Sequence, residues 1–342
     1  MSRVNFKQRL EAFVTSAWYT GAGWLWLLWP LTLIVRKVVA NRRQRFINHP
    51  PAVGSVPVVV VGGITVGGTG KTPLIIALVD ALRRHGLTVA VVSRGYGGQI
   101  SGQAQVIDEK SPASVVGDEP LVIYLRCHCT VVVGPDRVAA VRLAEQSKPN
   151  IILSDDGLQH YRMHREFEIA VLDAARGLGN GQLLPMGPLR EAPDRLDTVD
   201  WILERNGKGV DSGFHYTIRG LQHRQSRQVL AAAEARTRWQ TVSSIAAVTG
   251  IGQPDQFFDS IRSMGIQSNN YAFGDHYALT KKDLDAIADE VIIMTEKDAI
   301  KLGTVVDERV WVLTIDASLP ESLLTKLLSL FLDDNEGLCT ES

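Results

Sequence analysis

A glycine-rich stretch between two apolar segments has the residue types that hold a phosphate chain. Residues 65–72 read Thr-Val-Gly-Gly-Thr-Gly-Lys-Thr, and four valines precede them at positions 58–61. In the pattern Gly-x-x-x-x-Gly-Lys-Ser/Thr, glycines let several backbone N–H groups point at one anion, and the following helix adds its positive end. We therefore predict a phosphate-binding loop (P-loop) in which Lys71 reaches the β- and γ-phosphates and the Thr72 hydroxyl ligates Mg²⁺. Thr65 departs from the first glycine of the pattern, and a chance glycine-rich turn is the alternative.

A pair of carboxylates follows a second apolar segment. Residues 150–156 read Asn-Ile-Ile-Leu-Ser-Asp-Asp, which predicts a buried strand with Asp155 and Asp156 at its carboxyl end. Ligands gather at this end of the strands in an open α/β sheet. One carboxylate can hold Mg²⁺ and the other can orient it, and which of the two touches the metal stays open. Adjacent aspartates are also common in turns, which is the alternative.

Four further stretches offer groups for a second substrate. Asp118 in Val-Gly-Asp-Glu-Pro precedes an apolar, helix-like run, where an aspartate is more often a helix N-cap than a catalyst. His276 follows Asp275, and a histidine beside an acid suits a base or the partner of a base. Residues 295–301, Thr-Glu-Lys-Asp-Ala-Ile-Lys, follow a predicted strand, with a solvated turn as the alternative. Arg94 in Ser-Arg-Gly-Tyr-Gly-Gly ends another strand, where it suits a phosphate.

The spacing of the apolar segments predicts the elements that must position these groups. Predicted strands cover residues 56–61, 87–93, 130–133, 150–154, 168–172 and 199–204, with helices at 72–85 and 136–146. This alternation predicts an α/β fold with a doubly wound, mostly parallel sheet of the P-loop NTPase type. After residue 211 the alternation restarts, with strands at 245–249, 291–294 and 310–313 and a helix at 254–264. We therefore predict a second, smaller α/β lobe.

An uncharged run of 24 residues, positions 12–35, precedes the predicted sheet. As a helix it would be about 36 Å long, enough for a hydrocarbon core of ~30 Å. Pro30 and the pair Gly21 and Gly23 weaken a straight helix. We predict a membrane-associated helix that lies in the interface, because Pro30 interrupts the run. A spanning helix, a cleaved signal peptide and a buried core helix are the alternatives. The run contains Trp18, Tyr19, Trp24, Trp26 and Trp29, which are interfacial residue types, and the basic residues Arg36, Lys37, Arg42, Arg43 and Arg45 follow it.

Composition limits the classes of function. The chain has 342 residues and a net charge of −1, so no global basic field indicates a nucleic acid as partner.

We divide the chain into a membrane-association segment (1–47), a P-loop core (48–210) and a smaller lobe (211–342). The three cysteines form no disulfide framework, and we interpret Cys127-His128-Cys129 as a pair of strand residues rather than a metal site.

The residues alone leave three classes open. A lipid kinase would use the P-loop, the paired aspartates and the apolar anchor together. A P-loop ATPase or GTPase at a membrane would release phosphate to water, although the sequence has no Asn-Lys-x-Asp guanine motif. A membrane-tethered nucleotide sensor would need no acid or base, and the several candidates for such groups argue against it.

The ordered set of motifs resembles the tetraacyldisaccharide 4′-kinase family of lipid A biosynthesis. The stretches that carry the resemblance are TVGGTGKTP, SRGYGG, GDEP, GPDR, SDDGLQH, LLPMGPLRE, GDHY and TEKDAIK, and the resemblance reaches from the apolar run to about residue 302. It implies a membrane-associated kinase on the cytoplasmic face of the inner membrane. It also implies transfer of the γ-phosphate of ATP, with Mg²⁺, to the 4′-hydroxyl of an acylated glucosamine disaccharide 1-phosphate, giving lipid IVA. We infer no nucleic-acid partner and no obligate protein partner.

The resemblance also implies roles for single residues. Lys71 and Thr72 match the phosphate and metal positions, and Asp155 and Asp156 match the metal-side carboxylates. Asp118 matches a catalytic aspartate that His276 accompanies. Gly63 departs from the asparagine typical of the family. Further catalytic positions are Arg137 and Glu191; the predicted substrate-binding residues are Arg94 and Tyr96; the predicted ATP contacts are Thr65, Val66, Gly67, Gly68, Thr69, Gly70, Lys71 and Thr72, with Thr295, Glu296, Lys297 and Asp298 at the nucleotide base.

Overall fold

The computed structural model describes residues 6–52, 54–100, 102–275 and 277–332, which build two β-sheets with helices around them. The helices are α1 (Phe6–Thr20), α2 (Trp29–Asn48), α3 (Lys71–Arg84), α4 (Ala113–Val116), α5 (Asp118–Cys127), α6 (Arg137–Glu145), α7 (Ala232–Arg238), α8 (Pro254–Ser263), α9 (Lys281–Asp285), α10 (Glu296–Lys301) and α11 (Glu321–Leu332). The strands of the first sheet are β1 (Val58–Gly62), β2 (Val89–Ser93), β3 (Gln105–Val106), β4 (Thr130–Val133), β5 (Ile151–Asp155), β6 (Phe167–Asp173), β7 (Trp201–Arg205) and β8 (Gly213–Phe214). Those of the second are β9 (Tyr216–His223), β10 (Val229–Leu230), β11 (Ile245–Thr249), β12 (Asn269–Ala272), β13 (Val291–Thr295) and β14 (Val310–Ala317).

The first sheet has the strand order β3-β4-β2-β5-β1-β6-β7-β8. Its pairs are parallel except for β3 with β4, which confirms the predicted doubly wound, mostly parallel sheet. Strand β1 lies between β5 and β6, with Val59 opposite Leu153 on one side and Phe167 on the other. All its residues are buried because helices cover both faces of the sheet, which explains the run of valines. The P-loop therefore leaves the sheet between the carboxyl ends of two neighbouring strands.

Several boundaries differ from the predicted ones by one to three residues. Strand β1 begins at Val58 rather than at residue 56, after Pro57, which has no N–H to donate to a neighbouring strand. The prediction for the Cys127-His128-Cys129 stretch was wrong. Cys127 ends α5 and His128 has a left-handed backbone, so both buried cysteines belong to a helix-to-strand turn that precedes β4.

The second sheet has the order β10-β9-β14-β13-β11-β12 and confirms the predicted second α/β lobe. Its parallel part, β14-β13-β11-β12, repeats the alternation of strand and helix. The chain changes sheets between Phe214 and Tyr216, four residues after the predicted domain boundary at 211. Helix α11 then returns to the first sheet, where Leu323 and Leu327 are fully buried in its core.

The apolar amino-terminal run forms two helices joined by a 3-10 helix, a unit called the hairpin below, rather than one interrupted helix. Helix α1 ends at a left-handed Gly21 (φ 72°), a 3-10 helix (Gly23–Leu28) follows, and α2 begins at Trp29. Pro30 therefore lies in the first turn of α2, where proline is tolerated, and does not break the run. The basic residues predicted to follow the helix lie within α2. By length and composition, the segment Gly23–Asn48 is apolar enough to cross a membrane, and 11% of its most apolar window is buried.

One side of the hairpin packs on the protein. Ala17, Trp18, Leu25 and Met186 form a buried cluster, and the indole N–H of Trp18 donates to the carbonyl oxygen of Pro185 (3.0 Å). The Thr32 hydroxyl accepts the backbone N–H of Met186 (3.2 Å). Trp18 is thus a docking residue of the hairpin, while Trp26 and Trp29 are exposed, as expected for interfacial residues.

We predict that the centre of the first sheet dominates its stability. Leu153 on β5 is fully buried, so Leu153→Ala should lower the free energy of unfolding by about 2–5 kcal/mol through lost contacts and a cavity. The measurement is urea unfolding of the full chain in detergent, followed by circular dichroism. Leu125→Ala on α5, where the side chain is 40% exposed, is the control and should change the midpoint much less. Equal midpoints for the two variants would contradict this packing.

Candidate active site

The P-loop connects β1 to α3 at the carboxyl edge of the first sheet. Gly67 and Gly70 have φ of 107° and 88°, a backbone region that favours glycine. A Cβ built on Gly70 would lie 1.8 Å from the hydroxyl oxygen of Tyr216, which begins the second sheet. Glycine is therefore favoured at position 70 for two reasons: the turn into α3 and the close approach of Tyr216.

Residues 182–191, called the bridging loop below, pair with the P-loop. The N–H of Val66 donates to Pro188 O (2.8 Å), and the N–H of Arg190 donates to Ile64 O (2.6 Å). Between these bonds Thr65 forms an antiparallel bridge with Leu189. Thr65 thus lies in a paired segment rather than in the turn, which accounts for a β-branched residue in place of the first glycine.

Lys71 and Asp156 face each other across the mouth of the P-loop. Lys71 Nζ lies 3.3 Å from Asp156 Oδ1 and 3.4 Å from Thr69 Oγ1. On the other side, Arg190 Nη1 donates to Asp156 Oδ2 (2.7 Å). Burial alone would raise the pKa of Asp156, but the two cations outweigh it and hold that pKa well below its usual range. Asp156 is therefore ionised at neutral pH and holds Lys71 in place.

Asp155 is the more buried of the two aspartates. Its Oδ2 accepts the Ser93 hydroxyl (3.1 Å), while its buried Oδ1 has no hydrogen-bond partner among the residues that the structure describes. Burial raises the pKa of Asp155 to about 6, and the charges of Glu119 and Asp156 act in the same direction. The charges of Lys71 and Arg137 act in the opposite direction but do not outweigh burial.

These features fit a divalent cation beside the P-loop. An orphaned carboxylate oxygen next to the Lys71–Asp156 pair is the kind of ligand that Mg²⁺ prefers. Thr72, in the first turn of α3, would add its hydroxyl. Within the described ranges, no three His, Cys, Asp or Glu side chains group as a metal site. The protein would thus supply only part of the metal's shell, which suits Mg²⁺ bound together with phosphates.

Asp118 lies at the start of α5 and is held from the second lobe. Its Oδ1 accepts the N–H of Glu119 (3.0 Å), and Lys301 Nζ lies 3.5 Å from its Oδ2. Lys301 also lies 3.4 Å from Asp298, so one buried ammonium faces two buried carboxylates. His276 lies outside the described residues, and its pairing with Asp118 stays a prediction.

The predicted base-contacting stretch, residues 295–298, forms the first turn of α10 and packs on α5. Thr295 caps this helix, and Asp298 accepts the hydroxyls of Thr249 (2.8 Å) and Thr295 (2.7 Å). Glu296 pairs with Arg126 (2.8 Å), and Lys297 forms an ion pair with Glu119. Glu296 and Lys297 thus link the two lobes. The contact of residues 295–298 with a nucleotide base stays a prediction.

A buried guanidinium, that of Arg137, lies near Arg94 and His160. Arg137 is 3% exposed and donates from Nη2 to the backbone oxygen of Asp155 (2.7 Å). Its Nε and Nη1 have no hydrogen-bond partner within the described part of the chain. Burial lowers the pKa of Arg137 to about 10, and burial together with the charges of Arg137 and Arg94 lowers the pKa of His160 to about 4. Arg94 and Tyr96 are exposed after β2, so this region can accept an anion.

Glu191 ends the bridging loop and is 1% exposed. It accepts hydrogen bonds from the Gln159 amide (2.8 Å) and the Tyr161 hydroxyl, and Arg195 Nε lies 3.3 Å away. The same Gln159 amide donates to Gly63 O (3.2 Å) at the start of the P-loop. Glu191 thus supports the loop through Gln159, and its predicted catalytic role stays a prediction.

Several residues at this edge were not predicted from the sequence. Arg190 directly precedes Glu191 and was not predicted, although an arginine is a usual partner for a pair of aspartates. Asp173 and Arg205 end β6 and β7 and form a buried ion pair, and they would follow from the rule that strand ends meet at one edge. Gln253, whose amide donates to Gly68 O (3.2 Å), comes from the second lobe, and no local pattern indicates it.

The fold and the site define a P-loop nucleotide-binding protein of the α/β class. Residues 24–332 match the family model described as Tetraacyldisaccharide-1-P 4'-kinase. The chain belongs to this tetraacyldisaccharide 4′-kinase family. It is 41% identical over 325 residues to the family member of Alcanivorax borkumensis (93% of this chain, 97% of that protein) and 44% identical over 293 residues to that of Stutzerimonas stutzeri (83% and 86%). The crystal structure of LpxK from Aquifex aeolicus in complex with ATP matches with a TM-score of 0.74 and 26% identity, covering 89% of this chain and 98% of that one.

We predict that Lys301 is the main electrostatic link between the lobes. Lys301→Met should lower the free energy of unfolding by about 3–5 kcal/mol, because it leaves Asp118 and Asp298 buried without their shared cation. Urea unfolding measures this loss, and amide hydrogen exchange in residues 296–301 should become faster.

The matched control is Arg262→Met, which breaks an exposed ion pair with Asp259, with side chains 73% and 65% exposed. That change should cost less than about 1 kcal/mol. If both variants unfold at the wild-type midpoint, the Lys301 contacts do not hold the lobes together.

Proposed function

We propose that this protein transfers the γ-phosphate of ATP to the 4′-hydroxyl of a tetraacylated glucosamine disaccharide 1-phosphate, giving lipid IVA in lipid A biosynthesis. The observation that carries the proposal is the family match over residues 24–332, on a chain that has a complete P-loop facing two aspartates. The ATP named for the Aquifex aeolicus structure supports the choice of nucleotide.

The P-loop is the proposed site of the triphosphate. Its backbone N–H groups and the positive end of α3 would bind the β- and γ-phosphates, and Lys71 would exchange its contact with Asp156 for the γ-phosphate. Thr72, Asp155 and Asp156 would hold Mg²⁺. When bound, the ion would neutralise charge on the phosphate oxygens. The base would lie toward residues 295–298 of the second lobe.

Asp118 is the proposed acceptor of the proton from the sugar hydroxyl. A hydroxyl is a poor nucleophile at neutral pH, so in-line transfer needs a positioned group that takes the proton late in the step. Lys301 Nζ lies 3.5 Å from Asp118 Oδ2, and His276 would orient the carboxylate. Arg94, Tyr96 and Arg137 would bind the acceptor, since a phosphate matches the free donors of a buried guanidinium. Glu191 would act through Gln159 on the P-loop.

The hairpin is the proposed contact with the cytoplasmic face of the inner membrane. Thr32, Arg43 and Phe46 of α2 contact the protein, through Met186, Asp194 and Tyr161 respectively. The outward side of α2 carries Leu31, Ile34 and Val38, all exposed, in the three-and-four spacing of one helical face.

The same face of α2 continues with the exposed Arg42 and Arg45. An apolar half followed by a basic half matches the acyl region and the anionic headgroups of a bilayer surface. Since its opposite side contacts the protein at Thr32, Arg43 and Phe46, α2 lies in the interface in this proposal rather than crossing the membrane alone.

The central experiment measures transfer of labelled γ-phosphate from ATP to the acylated disaccharide in mixed micelles. Lys71→Met should lower kcat by roughly 10²–10³-fold or more, because a donor to the developing charge is lost. Lys326→Met, an exposed lysine of α11, is the control and should keep wild-type turnover. Label that appears only as free phosphate with the wild-type chain would indicate a hydrolase and overturn the proposal.

The membrane contact has a separate test. Ile34→Ser with Val38→Ser should weaken binding to vesicles of anionic phospholipid by about 10-fold or more, because each buried aliphatic side chain contributes roughly 1.5–3 kcal/mol. Vesicle flotation measures the bound fraction. Val210→Ser removes an apolar side chain that is 90% exposed and lies outside the hairpin, so it is the control. Unchanged flotation of the double variant would show that this face does not enter the bilayer.

A further inference from the structure

Arg176 lies beside the P-loop in the turn that follows β6. Its backbone N–H donates to Asp173 O (3.1 Å), which closes the turn at the end of the strand that neighbours β1. A Cβ built on Gly67 would meet one heavy atom outside the adjoining residues within 4 Å, namely Nη1 of Arg176 at 3.6 Å. The guanidinium therefore faces the middle of the loop.

The charge of Arg176 has no carboxylate partner within 4.0 Å in the described part of the chain. Two neighbouring arginines are paired, Arg190 with Asp156 and Arg205 with Asp173. Asp173, three residues before Arg176, is occupied by Arg205 and by the N–H of Ala175 (3.1 Å). Arg176 thus keeps donors and a positive charge available at the mouth of the P-loop.

An aromatic ring of the hairpin holds this cation. The Cζ atom of Arg176 lies 5.4 Å from the ring centroid of Tyr19, within the range of a cation–π contact. Tyr19 is on α1, next to Trp18, whose indole N–H binds the bridging loop at Pro185. Two residues of one helix therefore fix the guanidinium and the loop that pairs with the P-loop.

We propose that Arg176 is a further phosphate-binding residue of this kinase and that Tyr19 positions it. The inference rests on the proposed function, in which the P-loop binds the triphosphate of ATP. A planar guanidinium matches phosphate oxygens, and a cation beside the γ-phosphoryl group stabilises the charge spread over it during transfer. Because Tyr19 belongs to the hairpin, the segment that contacts lipid also completes the nucleotide site.

The experiment uses the full chain in mixed micelles and measures two quantities for each variant: the Kd for ATP with Mg²⁺ by calorimetry, and kcat at saturating acceptor. Arg176→Ala should raise Kd or lower kcat by about 10- to 100-fold, the range for loss of a charge-assisted hydrogen bond. Arg176→Lys should recover part of the loss, because the charge remains. Arg142→Ala, an exposed arginine of α6, is the control.

Tyr19 is tested as a positioning residue by a double-mutant cycle. Tyr19→Leu should shift the same parameter as Arg176→Ala by about 3- to 10-fold, the range for a partly desolvated cation–π contact. Tyr19→Phe keeps the ring face but removes the hydroxyl, which also interacts with Arg176, so it should lose less than Tyr19→Leu. The double variant should be no worse than Arg176→Ala alone, because the ring then has nothing to hold. Flotation of Tyr19→Leu with vesicles checks that membrane binding is intact.

Three outcomes decide the matter. If Lys71→Met weakens ATP binding or transfer while Arg176→Ala leaves Kd and kcat unchanged, this inference is wrong and the proposed function stands. If Tyr19→Leu and Arg176→Ala add independently, Arg176 binds phosphate but Tyr19 does not position it. If neither Lys71→Met nor Arg176→Ala affects ATP binding or transfer, the proposed nucleotide site itself is wrong. Should Tyr19→Leu fail to fold, the Arg176 variants alone still decide the phosphate-binding role.

Discussion

The placement of β1 between β5 and β6 is the constraint on which the site depends. Parallel pairing sends the carboxyl ends of all three strands to one edge, so the P-loop, the paired aspartates and the Asp173 turn converge without any long-range signal. The convergence concentrates charge of both signs in a small volume. The Lys71–Asp156–Arg190 contacts balance part of that charge, while Asp155 and Arg137 stay buried with unsatisfied groups. Such uncompensated groups are costly in a core and are found where a ligand completes them.

The bridging loop connects the hairpin to this edge of the sheet. Its Met186 end is packed under α1 and α2, and its Leu189 end is paired with Thr65 of the P-loop. The second lobe contacts the P-loop from the other side, through Tyr216 at Gly70 and Gln253 at Gly68. The phosphate-binding turn is thus enclosed by three parts of the chain that are far apart in sequence.

Local patterns were enough to predict the parts of the molecule whose signal is local. The valine run, the glycine spacing and the alternation of strand and helix predicted the first sheet, the P-loop and the second lobe, with errors of up to four residues at the ends of elements. The hairpin was not predicted: Gly21, Gly23 and Pro30 all weaken a straight helix, but an uncharged run does not reveal at which of them the chain turns, and Gly21 makes the break. Arg176, Arg205, Tyr216 and Gln253 were missed because their place depends on strand order and on contact between lobes. Lys297 and Lys301 were placed in the right stretch, but their ion pairs with α5 follow only from the packing of the two sheets.

The docking of α2 along its inner side has a consequence for how the enzyme would meet its acceptor. A helix fixed at Thr32, Arg43 and Phe46 cannot swing away, so the catalytic edge would stay at a constant height above the lipid headgroups. The acceptor would then arrive by lateral diffusion within the leaflet, and its effective concentration would be a mole fraction of lipid rather than an amount per volume of solution. Diluting the acceptor with inert phospholipid would slow such an enzyme, whereas diluting the whole suspension with buffer would not, as long as the enzyme stays bound.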